Sequence, residues 1–275
     1  MSINVNNLGD KMDNVAVFRD TRNQSQTTYD LQTKRLIDET RVFTEPDKEI
    51  DVPVNRTYGE IYIKFSYGGT VSTAYEYATG GATVAMLNFA DALVPGGLVL
   101  AGEVTQEENI CRCTNLYESL ISPLPLARYY NRNNQMLNIY PHYTNALIYS
   151  PDVLIFKDDM DYHEISPVTA DVITCPAPAG GDSKQMAGLL KERIRGIIKA
   201  ATLREVDVLI LGAWGCGAFG QDPAVIGKLF GEVLKNYNGY FRIIDFAIRN
   251  NDGSKSRLAE IFEKNFWEGY HNHND

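Results

Sequence analysis

Val208-Leu-Ile-Leu-Gly-Ala-Trp-Gly-Cys-Gly-Ala-Phe-Gly220 joins an apolar run of strand length to a glycine-rich turn, and an amphipathic stretch follows it. The aliphatic opening, from Val206 to Leu211, reads as a strand buried on both faces, the form taken by strands in a sheet covered by helices. Asp222-Pro223 then caps and starts a helix running through Leu234, with proline at the favoured first position. The alternation repeats outward in both directions. Upstream, Asp182 or Ser183 caps a helix whose apolar residues Met186, Leu189, Leu190, Ile194, Ile197 and Ile198 share one face. Before it come a strand at Val168–Cys175, ended by Pro176-Ala-Pro-Ala-Gly-Gly, and one or two strands at Ala146–Phe156 around Pro151. Earlier still, Glu108–Tyr130 reads as a helix interrupted near Pro123, and Thr83–Ala90 as another buried strand. Downstream, Phe241–Ile248 is a strand and Leu258–Phe266 a short helix. Strands alternating with helices predict an α/β fold.

The first eighty residues read differently. Residues 13–45 are helical in pattern, with Leu31, Leu36 and Ile37 amid Lys34, Arg35, Asp38 and Glu39, until Glu45-Pro-Asp breaks it. Residues 50–80 are polar, with Tyr58, Ile61, Ile63, Phe65 and Tyr67 partly alternating, which predicts edge strands or an extended cover. No repeat, low-complexity tract or linker divides the chain. The expected organisation is an N-terminal helical extension, 1–80, packed on a core domain, 81–275, in one globular unit.

Composition bounds the function. At 275 residues, 44% hydrophobic and 22% charged, the chain has ample material for a core. Its net charge of -9 gives no basic field for a nucleic-acid backbone, so no nucleic-acid partner is expected and an anionic ligand needs local devices. The opening Met1-Ser-Ile-Asn-Val-Asn-Asn lacks the pattern of a secretory signal, and no apolar stretch suits a bilayer. A cytoplasmic protein without membrane contact is expected. Cys111 and Cys113 are too close for a usual disulfide, and with Cys175 and Cys216 they read as reduced thiols rather than zinc ligands.

A second glycine segment carries the chemistry. Thr83-Val-Ala-Met-Leu-Asn-Phe-Ala-Asp-Ala-Leu-Val-Pro-Gly-Gly-Leu98 leads, after seven residues, to Gln106-Glu107-Glu108. Glycines at strand ends let backbone N–H groups close around phosphate oxygens, and a following helix N-terminus adds a favourable dipole. Two such loops suit a diphosphate, and paired carboxylates suit a glycosidic bond beside it. Cleaving that bond needs a carboxylic acid for the leaving oxygen and a carboxylate to deprotonate water. Adjacent glutamates share one site only in a loop or at a helix start. The plainer reading of the same residues is a Pro-Gly-Gly turn and a solvated helix N-terminus, where acidic residues are favoured by the dipole alone.

Gly215-Cys-Gly-Ala-Phe-Gly220 also spells G-x-G-x-x-G between strand and helix, the fingerprint of a dinucleotide-binding oxidoreductase. It falls late in the chain, with one strand after it, and no acidic residue ends a strand about 20 residues on. A tight strand–helix turn is the remaining alternative.

Together these residues resemble the bacterial-type poly(ADP-ribose) glycohydrolase family, a branch of the macrodomain fold. The family signature is Gly-Gly-Gly, six to eight residues, then Gln-Glu-Glu; Gly96-Gly97-Leu98 and Gln106-Glu107-Glu108 match it apart from one position. Leu87-Asn-Phe-Ala-Asp-Ala, Ile148-Tyr-Ser-Pro-Asp-Val, Thr174-Cys-Pro-Ala-Pro-Ala-Gly and the Leu211–Gly220 segment are similar too, so the likeness spans roughly 80–250. The resemblance implies a three-layer α/β/α macrodomain with a mixed sheet, binding ADP-ribose or its polymer without cofactor or metal. It implies Glu108 as the catalytic acid/base and Glu107 as the residue orienting the ribose. It places Asn88, Asp91, Gly96, Gly97 and Gln106 along the reacting ribose and diphosphate. Gly215, Cys216, Gly217 and Ala218 would wrap the diphosphate from the other side, and Phe219 would pack on a ribose or the adenine.

Two departures bear on substrate choice. Leu98 replaces the third glycine, so its side chain points away from the ligand or narrows the cleft. Asp91 replaces the usual asparagine beside the reacting ribose and adds charge next to the glutamates. They keep open a non-catalytic ADP-ribose reader and a hydrolase of another ADP-ribosyl linkage. His142, His163, His271 and His273 are scattered and pair with no nucleophile. Tyr129 and Tyr130, with Arg128 and Arg132, are expected to pack rather than line a rim, and Trp214 to lie buried beneath its glycine loop.

Overall fold

The computed structural model describes residues 5–54, 57–250 and 252–272, with side chains from residue 13 onward. The first four residues of the chain start read above, and His273, lie outside the described residues. The strands are β1 (Arg41–Phe43), β2 (Tyr62–Ser66), β3 (Val84–Phe89), β4 (Leu147–Lys157), β5 (Glu164–Cys175), β6 (Val208–Leu211) and β7 (Ile243–Ala247). The helices are α1 (Val5–Gln26), α2 (Asp30–Glu39), α3 (Pro46–Glu49), α4 (Thr70–Thr79), α5 (Gln106–Cys113), α6 (Leu116–Leu120), α7 (Pro123–Pro125), α8 (Asn131–Met136), α9 (Ala187–Ala201), α10 (Pro223–Leu234) and α11 (Arg257–His271).

Among the described residues the strands form one mixed sheet in the order β1-β4-β5-β3-β6-β7-β2. β3, β6, β7 and β2 run parallel to one another, β5 runs parallel to β3, and β4 is antiparallel to both β1 and β5. Successive residues point to opposite faces. Ala85 and Leu87 of β3, with Leu209 and Leu211 of β6, pack on the α9–α10–α11 side. Val84, Met86, Val208 and Ile210 pack with Phe18, Leu36, Val71, Ile110 and Leu116 on the other. Helices cover both faces, the expected three-layer α/β/α arrangement with a mixed sheet. The residue-80 division does not divide that sheet, because β1 and β2, from the first eighty residues, are its two edge strands.

Several local expectations shift for physical reasons. Pro151 does not split Ala146–Phe156 into two strands: β4 is continuous, but its pairing to β5 skips from Ser150 to Val153, with Asp152 at φ +50°. A proline offers no N–H to the ladder, and a bulge accommodates that loss. α9 begins at Ala187, and neither Asp182 nor Ser183 caps it. The Asp182 carboxylate accepts the N–H groups of Lys184 and Gln185 in the preceding turn, and Ser183 donates to Gln221. The helix from Glu108 breaks first at Thr114, which bridges to Ile155, before Pro123 opens α7. Asp222 caps α10 as expected, accepting from Ala224 N at 2.9 Å. Tyr129 and Tyr130 are core residues, and Trp214 lies fully buried with Nε1 donating to the Cys175 carbonyl at 3.0 Å. All four cysteines are free thiols, and no helix among the described residues is long and apolar enough to cross a membrane.

Candidate active site

A cleft of about 550 Å³ opens at the C-terminal ends of the parallel strands. Four of the five contribute the residues that follow them: Thr70 after β2, Gly97 and Glu108 after β3, Ala218 after β6 and Arg249 after β7. Ligands of open α/β sheets bind at this edge, because strands end there with unpaired N–H groups and helices begin.

The route from β3 to α5 explains how both glutamates reach the cleft. Oδ1 of Asp91 accepts the N–H groups of Leu93 and Val94 at 2.7 and 2.9 Å, turning the chain. Gly96 and Gly97 then lie at φ +67° and +57°, where a side chain is strained. A short 3-10 turn at Val99–Ala101 brings the chain to Thr105, and α5 starts with Gln106. Both glutamates therefore sit in the first turn of a helix. They are not solvated there: Glu107 is 2% and Glu108 5% exposed. Burial sets aside the reading of this segment as a solvated helix start, which would leave both carboxylates in water.

Oε1 of Glu107 accepts from Nδ2 of Asn88 at 3.1 Å, and Oε2 accepts from Asp91 N at 2.7 Å. Burial nevertheless drives its carboxyl well above the usual range; the two donors oppose the rise, and the charge of Glu108 adds to it. Oε1 of Glu108 accepts from Leu98 N at 2.9 Å, and the Thr105 hydroxyl donates to Oε2. A Cβ at Gly97 would collide with Oε1 of Glu108 and stand 3.2 Å from Oε2 of Glu107. The two carboxylates thus flank one point of backbone.

Other expected ligand contacts are placed differently. Asn88 is fully buried behind Glu107 and does not line the cleft; it also donates to the Thr174 hydroxyl at 3.3 Å. Gln106 lines the cleft, but its amide accepts from Phe89 N at 2.8 Å and donates to the Leu87 carbonyl at 2.7 Å, clamping the end of β3. Asp91 lines the cleft with Oδ1 held in its turn. Gly96 faces inward, where a Cβ would meet the Tyr117 ring at 2.8 Å. Leu98 stands on the rim, 55% exposed.

Opposite the acids, Gly215, Gly217, Ala218 and Phe219 form the wall after β6. Gln221 N bonds to the Gly215 carbonyl and closes this loop. Among the described residues the N–H groups of Gly217, Ala218 and Phe219 have no protein acceptor. Successive free amides of this kind form an anion-binding concavity. Cys216 does not line the cleft: its thiol turns toward the Trp214 carbonyl, and burial pushes its pKa to about 12. Thr105, Asn109, Thr70 and Arg249 line the cleft as well and were not anticipated.

The chain as a whole is similar to known proteins. The family model for the catalytic domain of microbial-type PARG matches residues 14–158. A crystal structure of poly(ADP-ribose) glycohydrolase from Deinococcus radiodurans in complex with ADP-ribose is 31% identical, over 86% of this chain and 96% of that one, with a TM-score of 0.72. The chain belongs to the microbial-type PARG family. The poly(ADP-ribose) glycohydrolase of Thermomonospora curvata, bound to the inhibitor ADP-HPD, is 25% identical over 94% of this chain and 99% of that one, with a TM-score of 0.77. No curated protein matches the chain in sequence. Family membership sets aside the dinucleotide-binding oxidoreductase. So does the sheet, whose order and antiparallel strands are not those of that fold.

Proposed function

We propose that the chain is a poly(ADP-ribose) glycohydrolase that hydrolyses the ribose–ribose O-glycosidic bond and releases terminal ADP-ribose. The observation that carries the proposal is the convergence of two buried carboxylates over Gly97, facing a wall of free backbone amides. The amides after β6 would take the diphosphate, and the ribose would lie against Gly97. Glu108, oriented by Leu98 N and the Thr105 hydroxyl, would protonate the departing ribose oxygen. The resulting carboxylate would then deprotonate a water that attacks the anomeric carbon of the oxocarbenium-like centre. Glu107, fixed by Asn88 and Asp91 N, would orient the ribose hydroxyls.

The test is a time course of free ADP-ribose released from purified polymer, wild type against Glu108→Gln. A positioned acid/base typically contributes about 10²–10⁴-fold, so release falls by that order while ADP-ribose binding survives. Undiminished turnover by the variant overturns the role of Glu108. Tight ADP-ribose binding by the wild type without product from polymer supports the reader; product from another ADP-ribosyl linkage supports that hydrolase.

A further inference from the structure

Four of the five charged side chains lining the cleft are acidic: Asp91, Glu103, Glu107 and Glu108. The fifth, Arg249, is exposed, lines the cleft wall after β7, and has no ion-pair or hydrogen-bond partner for its guanidinium among the described residues. On a chain of net charge -9, Arg249 is the one cationic side chain among the described lining residues that an anionic ligand entering this cleft would meet.

Arg249 is well placed to bind such a ligand. β6 and β7 pair through Leu211 and Phe246, so the glycine loop leaves β6 at Gly212 beside the end of β7, and Arg249 lies two residues past Ala247, where β7 ends. Neighbouring strands lie about 4.8 Å apart, a spacing an extended arginine side chain bridges. The backbone on either side of Arg249 is pinned: Ile248 N donates to the Ser66 carbonyl at 2.8 Å and Asn250 N to the Tyr67 carbonyl at 3.1 Å. A guanidinium held at its base and free at its tip suits two-pronged recognition of a phosphate.

We infer that Arg249 is the phosphate-binding cation of the cleft, completing with the free amides of Gly217, Ala218 and Phe219 a site for the diphosphate of the ligand. The amides supply partial charges and Arg249 the only full positive charge among the described lining residues. The inference deepens the ADP-ribose reading above and rests on it.

Calorimetric titration of wild type, Arg249→Gln and Arg249→Lys with ADP-ribose, ADP and adenosine tests it, with melting temperatures to confirm folding. Arg249→Gln is expected to weaken ADP-ribose and ADP by about tenfold, as loss of one charge-assisted contact does. Adenosine binding stays unchanged, and Arg249→Lys, which keeps the charge but loses the two-pronged fork, recovers only part of the loss. In turnover KM rises in parallel while kcat holds. Equal ADP-ribose affinity in wild type and Arg249→Gln overturns the assignment and leaves the ADP-ribose reading standing. An equal loss for adenosine and ADP does the same, moving Arg249 to the nucleoside. A wild type that binds no ADP-ribose overturns both.

Discussion

Asn88 donates its side-chain amide to Oε1 of Glu107 across 3.1 Å, with both residues almost wholly out of water. The pairing makes Asn88 a positioning residue for Glu107. Asn88→Leu keeps the volume and removes the donor, leaving a buried carboxylate oxygen unpaired. That change should cost about 1–3 kcal/mol of stability, read by urea unfolding. Glycohydrolase turnover should fall as well, since Glu107 loses the contact that fixes its rotamer.

The same burial makes stability depend on pH. The Glu107 carboxyl sits well above the usual range in the folded chain because burial disfavours its charged form. Between the unfolded value, about 4.3, and that raised value, the native state keeps a proton that the unfolded state has released. Stability therefore declines as pH rises through this interval, and the cost disappears below it. Glu107→Gln removes the titration. The variant should gain melting temperature over wild type progressively from about pH 4 upward, where the unfolded glutamate ionises. A difference that stays flat with pH would sink the argument.

Gly97→Ala tests the closeness of the acids. The added methyl runs into Oε1 of Glu108 and the φ of +57° disfavours any Cβ. The strain costs about 1–2 kcal/mol, which a domain of this size survives. The glutamates must move, and a displacement near 1 Å costs about 10²-fold in rate. Turnover should collapse while far-ultraviolet circular dichroism is unchanged.

Much of this arrangement was legible in the chain. Val84–Phe89 and Val208–Leu211 are apolar at nearly every position because both faces of the sheet are covered, so their strands announce themselves. The site residues were harder. In the fold Thr105 makes no cap bond and donates to the Glu108 carboxylate instead. The family resemblance placed Asn88 and Gln106 among the ligand contacts. Their roles are set by what lies across the sheet and along β3, which spacing does not encode. Arg249 carried no local signal at all: only the pairing of β6 with β7 brings it to the cleft.

Helix packing supplies a contrast between two glycines. Gly231, inside α10, lies against the backbone of α11, where a Cβ would collide with the Phe266 carbonyl and stand 2.6 Å from Tyr270 N. Gly188, inside α9, has nothing within 4 Å of the corresponding point. On helix propensity alone, either glycine replaced by alanine gains about 0.8–1.0 kcal/mol. Gly188→Ala should realise that gain. Gly231→Ala should instead lose about 1–3 kcal/mol, the usual cost of overpacking, because neither helix backbone can yield without lifting α11 off the sheet. Since α11 carries Leu258 into the cleft wall, ADP-ribose affinity should fall in Gly231→Ala and hold in Gly188→Ala. Parallel denaturant titrations and ligand titrations of the two variants check both halves, and a stabilised Gly231→Ala would show that the two helices are free to part.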